Sequence, residues 1–333
     1  MRKGRQNKMI KSIKREKNLF GLVAGVIATG ILLSQAHAAA SLDPYDQMGP
    51  VHLDFSFGFE EMSGELISSI GGEINHANGQ TEHVPSTISE LEWPMDIPLA
   101  RFDGSLELNP LWRINATLKT ALDDPEENMI DRDWFSAGGS ADIYSESNIS
   151  SSDAFILDID LEWTYFQQGP WSLSVGVGYL QQEFEYEGDL IMQYSPTGIS
   201  GYNYIGDGST AITYDNTFSM LYFLLGANMQ LTQQFELAGK FSVAPFASSE
   251  DDMHHLYSDK VSTGDMEGVA TMFELSGKFL ITPWWFVKGG VQLTYISVDG
   301  DQYQVLAGEP LGRIDQEVES NQSSASISMG YSF

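Results

Sequence analysis

Two short acidic stretches carry residue types that could activate a water molecule. In NMIDRDWF, residues 128–135, Asp131 and Asp133 stand two apart beside Trp134. In SSEDDMHHLY, residues 248–257, Asp252 and His254 have the same spacing. On an extended backbone, residues i and i+2 project to one face, so each pair would present its side chains together. A neutral imidazole can take a proton from water as it attacks a carbonyl. A carboxylate beside it orients the ring and stabilises the imidazolium. Two close carboxylates can share a proton, and the protonated member can donate to a developing oxyanion. The oxygen and imidazole donors of these four residues would also suit a hard or borderline metal ion, so a metal-dependent hydrolase stands as an alternative. In a chain with 46 Asp+Glu among 333 residues, an isolated D-x-D is ordinarily surface charge. Only a fold that turns the two pairs toward each other makes them a site.

The elements that would position them alternate with period two. In FILDIDLEWTYF, Phe155, Leu157, Ile159, Leu161, Trp163 and Tyr165 fall on one face, and Asp158, Asp160 and Glu162 on the other. WSLSVGVGY (171–179) and WFVKGGVQLTY (285–295) follow the same pattern, with aromatic residues at both ends of the apolar face. Such strands have one apolar and one polar face. Aromatic girdles around an apolar exterior, with a polar interior, characterise a transmembrane β-barrel. Closure would also satisfy every backbone group in lipid. Short connections at Asn109-Pro110, 168–170, 231–233 and Thr282-Pro283 alternate with long ones near 72–86, 123–152, 189–210, 250–264 and 299–314. Nine connections join ten strands. The expected fold is all-β, a ten-stranded antiparallel transmembrane barrel whose long strands rise above the outer membrane.

The N-terminal 38 residues read as a cleaved signal peptide. They contain eight Lys/Arg, the apolar run 19–33 and Ala36-His37-Ala38, the basic, apolar and small-x-small pattern of secretion. Residues 39–333 are then the barrel, with nine basic and 45 acidic residues. That charge repels nucleic acid and favours cationic peptides or divalent ions. There is no cysteine, so no disulfide holds the exported chain together. The chain ends in Gly330-Tyr331-Ser332-Phe333, similar to the closing strand of bacterial outer-membrane barrels.

NMIDRDW resembles the N-M-x-D-x-D-W of the omptins, outer-membrane aspartate–histidine endoproteases. SSEDDMHH resembles their S-S-D-N-D-E-H segment, and ISELEW (88–93), ITYDNTFSMLY (212–222), FELAGKF (235–241) and ITPWWFV (281–287) resemble strands of the same family. The resemblance implies an active site facing the exterior, with Asp252 and His254 as the water-activating dyad and Asp131 and Asp133 as the facing pair. It implies cleavage beside basic residues of peptide or protein substrates, with Glu65 and Glu250 as walls of an acidic pocket. No metal or organic cofactor is implied. His255, where the family often has Tyr, reads as a bystander, and Met253 replaces an acidic residue. The family is implied to bind lipopolysaccharide through Arg and Lys, whereas this chain offers Glu183 and Thr217 beside Tyr179, so lipopolysaccharide is a doubtful activator. A barrel that has lost activity and serves as an adhesin or binding surface is the other alternative.

Overall fold

Alternation carries through the folded chain in strands far longer than a bilayer requires. The computed structural model describes residues 51–135, 139–198, 201 and 203–333. The expected signal peptide, 1–38, lies outside the described residues. The strands are β1 (His52–His76), β2 (Thr81–His83), β3 (Ser89–Pro94), β4 (Ile97–Asn109), β5 (Trp112–Ala121), β6 (Met129–Asp133) and β7 (Ile143–Gln168). They continue as β8 (Trp171–Tyr194), β9 (Asn203–Ile205), β10 (Thr210–Gln230), β11 (Phe235–His255), β12 (Lys260–Leu280), β13 (Trp285–Leu306) and β14 (Glu309–Ser332). β3 and β4 are two halves of one stave, since both pair with β1. β5 and β6 are likewise halves of another, both pairing with β7. β2 and β9 are short additions in the loops that pair only with β1 and β8. The remaining order forms ten antiparallel staves, closed by β1 against β14 and by β7 against β8. Closure leaves the staves without a free edge.

Two segments expected as long loops are strand instead. β11 runs to His255 and β12 starts at Lys260, so little of 250–264 is irregular. Most of 299–314 belongs to β13 and β14, joined by Ala307 and Gly308 with φ of 49° and 84°. Positive φ at both turn residues matches the right-handed twist of a tight hairpin.

The lower outer wall is apolar. Trp112, Trp163, Trp171 and Trp285 are exposed beside the short turns, and Tyr179, Phe246 and Tyr295 are exposed higher on their strands. Trp171 and Tyr179 are eight residues apart, about 26 Å of strand, which at the usual tilt of about 35–45° covers most of the roughly 25 Å apolar band of an outer-membrane barrel. Inside this band the lumen is charged. Lys240 Nζ lies 2.9 Å from Asp160 and 2.5 Å from Glu162, and Arg101 binds Glu60 at 2.6 Å and Asp103 at 2.8 Å. Above the lumen, inward side chains become apolar. Trp93 is stacked between Tyr186 and Tyr214 at centroid distances of 5.3 and 4.9 Å, and all three are fully buried. Leu66, Met95, Phe184, Phe218 and Met220 pack in the same cluster. This layer closes the barrel between the lumen and the outer mouth.

Candidate active site

The wall that carries the acidic pair is β6. Met129 is buried in the apolar layer, so Asp131 and Asp133 share its inward face while Arg132 points out, where it binds Glu90 at 2.9 Å and Glu92 at 3.0 Å. The register fixes their height: Asp131 lies opposite Leu91 of β3 and Ser145 of β7, and Asp133 opposite Ser89 and Ile143. Beyond the strand, Trp134 N donates to Ile88 O and Phe135 N to Asp142 Oδ2. The aspartates thus sit on a tied strand end rather than a free loop.

They line an outward-opening groove of about 1460 Å³, open to solvent, whose far wall is formed by β11, β12 and β13. The residues that face them there are Met253, His255 and Lys260. Asp252 and His254, expected in the groove, are on the outer surface. His254 Nε2 is 3.1 Å from Asp252 Oδ1, and both side chains are nearly half exposed.

The physical cause of this placement is a β-bulge at Pro245-Phe246. Below it, Ser242 and Ala244 are buried on the inward face; above it, Ala247, Ser249, Asp251 and Met253 are buried. β11 carries one extra residue there against both neighbours, between Ala244 and Ala247 opposite β12 and between Val243 and Phe246 opposite β10. One extra residue sends every later side chain to the opposite face. His255 therefore faces in, paired in register with Lys260.

The same alternation removes both expected pocket walls from the groove. Glu250 is exposed on the outer wall, near Asp265, Asp301 and Arg313. Glu65 alternates with buried Leu66 and also faces out, opposite Asn321 of β14. Asp251, not singled out from the sequence, is buried below the groove, where Gln316 Nε2 donates to it at 2.7 Å and Tyr214 OH at 3.3 Å.

The electrostatics of the groove are those of charges short of partners. Burial first, and then the nearby Asp133, push the Asp131 carboxyl up to about 8. Asp131 Oδ1 is buried with no hydrogen-bond partner among the described residues. Burial also raises Asp133, against a hydrogen bond from Ser89 and the charge of Lys260. His255 is pushed down to about 4 by burial, then by Lys260 and His254. Lys260 is itself lowered by burial, against the pull of Asp133 and Asp131. At neutral pH the groove thus holds a protonated carboxyl at Asp131, which can donate, and a neutral imidazole at His255, which can accept, with the Lys260 side chain beside them. Among the described residues, no group of three or more His, Cys, Asp or Glu is placed to hold a metal ion.

A solved structure shares this architecture. The outer membrane protease OmpT from Escherichia coli superposes with a TM-score of 0.66 at 18% identity, covering 85% of this chain and 97% of that one. The translocator domain of the autotransporter NalP from Neisseria meningitidis covers 93% and 97% at 9% identity, with a TM-score of only 0.36. Comparison with curated proteins gives no match. The sequence pattern of the omptin family fits residues 67–290, a span that includes Asp131, Asp133, Met253, His255 and Lys260 of the groove. With that match extending over 224 of 333 residues on a ten-stave barrel, this protein belongs to the omptin family of outer-membrane β-barrels.

Proposed function

We propose that this barrel is an outer-membrane endopeptidase that hydrolyses peptides lying in the outward groove. The observation that supports the reading is the placement of two aspartates on one wall and a neutral histidine on the other. A water between them is oriented by Asp133 and gives its proton to His255 as its oxygen attacks the carbonyl carbon. Asp131, protonated at neutral pH, delivers a proton to the leaving nitrogen as the C–N bond breaks. No covalent intermediate is formed with the protein. His255, and not the expected His254, takes the role of the base. Attraction of substrates with basic residues comes from the acidic field of the molecule, because Glu65 and Glu250 lie outside the groove.

A second reading, a binding or adhesin barrel without activity, is favoured by Met253. It stands two residues before His255 on the same face, where a carboxylate would orient the ring. The experiment that separates the readings is incubation of refolded barrel with a peptide library containing single and paired basic residues, followed by mass spectrometry. Cuts that vanish in Asp131→Asn support the endopeptidase. An intact library supports the binding barrel.

A further inference from the structure

Among the described residues, one cation is set apart from the rest. The described chain holds nine Lys and Arg residues. Eight of them have a carboxylate within 4.0 Å: Arg101, Arg113, Lys119, Lys240, Lys278 and Lys288 in the lumen, and Arg132 and Arg313 on the outer wall. Among the described residues, Lys260 is the exception. It opens β12, lies directly across from His255 and lines the groove with Asp131 and Asp133. Both carboxylates and the imidazole feel its charge, yet no ion pair with a described residue fixes it. Burying an ammonium without a close partner is costly. A cation kept that way is available to an anion that appears only during reaction.

We propose that Lys260 is a catalytic group of this groove, its Nζ donating to the carbonyl oxygen of the scissile amide as negative charge develops there. This rests on the endopeptidase reading above and adds the electrophile which that reading lacks. As water adds, its proton passes to His255 and the carbonyl π electrons move onto oxygen. The tetrahedral intermediate then carries one negative charge, held by the Lys260 ammonium. When the intermediate collapses, those electrons re-form the carbonyl, the C–N bond breaks and the nitrogen takes its proton from Asp131. Lys260 keeps all three of its protons throughout. A donor aimed at charge present only in the transition state raises kcat without tightening substrate binding.

The test uses the refolded full barrel and compares wild type with Lys260→Met and Lys260→Arg, each first shown to have heat-modifiable gel migration. Lys260→Met should lower kcat by about 10²-fold or more, the usual loss for one oxyanion donor, with KM altered by less than about threefold. A phosphinic peptide, a tetrahedral anion, should lose affinity by a similar factor, while a peptide bound to an inactive Asp131→Asn background should not. Lys260→Arg should retain most of both.

The pH profile gives an independent readout. The ionisable groups lining the groove are Asp131 and Asp133 on β6, His255 on β11, Lys260 on β12 and His76 on β1, with Arg313 of the outer wall at its rim; outward Arg132 acts on Asp131 and outward His254 on His255. Lys260 holds Asp131, Asp133 and His255 below where burial alone would put them, so removing it should move both limbs of the profile to higher pH. An unchanged kcat in Lys260→Met, or a loss confined to KM with phosphinate affinity intact, overturns the role of Lys260 and leaves the endopeptidase reading standing. A wild-type barrel that cuts no peptide overturns that reading, and the Lys260 role with it.

Discussion

The lumen and the groove are built from the same residue types and treat them in opposite ways. In the lumen, Lys240 is held between Asp160 and Glu162, while Glu60 takes both Arg101 and Lys119 at 2.6 Å. Across the apolar layer, in the groove, Asp131, Asp133 and Lys260 share a cavity without one ion pair inside 4.0 Å among the described residues. Paired charges tie staves together, here β7 to β11 and β1 to β4 and β5. Charges short of partners keep free energy available for a ligand or a transition state, and perturbed groups clustered in a cleft mark candidate sites. The comparison teaches that in this acidic barrel the position of an acid matters less than whether its partner has already been supplied.

The sharpest way to break that comparison is along β11, where inner and outer faces differ by one residue. His255→Ala should lower kcat by roughly 10²–10⁴-fold, the ordinary loss for a general base. His254→Ala should stay within about twofold, because its side chain lies on the outer wall, 3.1 Å from Asp252. Steady-state hydrolysis of one cleaved library peptide by both variants decides between the faces. A dead His254→Ala beside an active His255→Ala would return the site to the Asp252–His254 pair.

The next effect is on pH dependence, and its sign follows from the groove. His255 must be neutral to accept a proton, so activity should fall as pH drops through about 4. Asp131 must be protonated to donate, so activity should fall again as pH rises through about 8. The kcat/KM profile should be a bell between these limits. Asp131→Asn, which cannot give up a proton, should lose the alkaline limb together with most of the rate. A wild-type profile that keeps rising through pH 9 would remove Asp131 from the role of acid.

How much of this was legible beforehand differs between barrel and site for one physical reason. Barrel class rests on many repeats of period two, and each of Ile159, Leu161 and Trp163 is exposed where Asp158, Asp160 and Glu162 line the lumen side. An error in one strand leaves such a pattern intact. The site depends on the phase of one strand end. Counting two from Asp252 to His254 places both on one face but cannot say which face, because Pro245-Phe246 inserts a residue below them. The signal was present: a proline inside a strand marks an edge or a bulge, and Pro245 stands ten residues before His255. Lys260 had no such signal. Its significance lies in the pairing of every other described cation, which only three dimensions reveal.

On the lumen side, the expected effect is on stability rather than turnover. Lys240→Met leaves Asp160 and Glu162, both nearly buried, facing one another without their shared cation. Breaking a fully buried pair costs about 3–5 kcal/mol. Lys240 retains a quarter of its exposure, so about 2–3 kcal/mol is expected after allowing for solvent screening. Urea titration in detergent, read by loss of heat-modifiable migration, measures this. Turnover per folded molecule should not change, since the apolar layer around Trp93 separates Lys240 from the groove. Equal losses of stability and kcat would mean that lumen and groove are coupled through that layer.

The smallest expected effect is that of lipopolysaccharide, and the reason is again where the cations went. Of the nine described Lys and Arg, six lie in the lumen and one in the groove; only Arg132 and Arg313 reach the outer wall, and each faces a carboxylate there. At the level just above the apolar band, Glu183 stands opposite Thr217, beside Tyr179, whose hydroxyl lies 3.3 Å from Ser219. A lipid A phosphate needs Arg or Lys for strong charge-assisted bonds, and an acidic wall repels it. Divalent cations can join phosphates to carboxylates, since both offer hard oxygen ligands. Lipopolysaccharide titrated into refolded barrel with EDTA should therefore change kcat by less than about twofold, and any larger activation should require added Ca²⁺ or Mg²⁺. Strong activation indifferent to EDTA would show that a cationic clasp exists despite the pairing of Arg132 and Arg313, and that the outer wall, like the groove, keeps a charge in reserve.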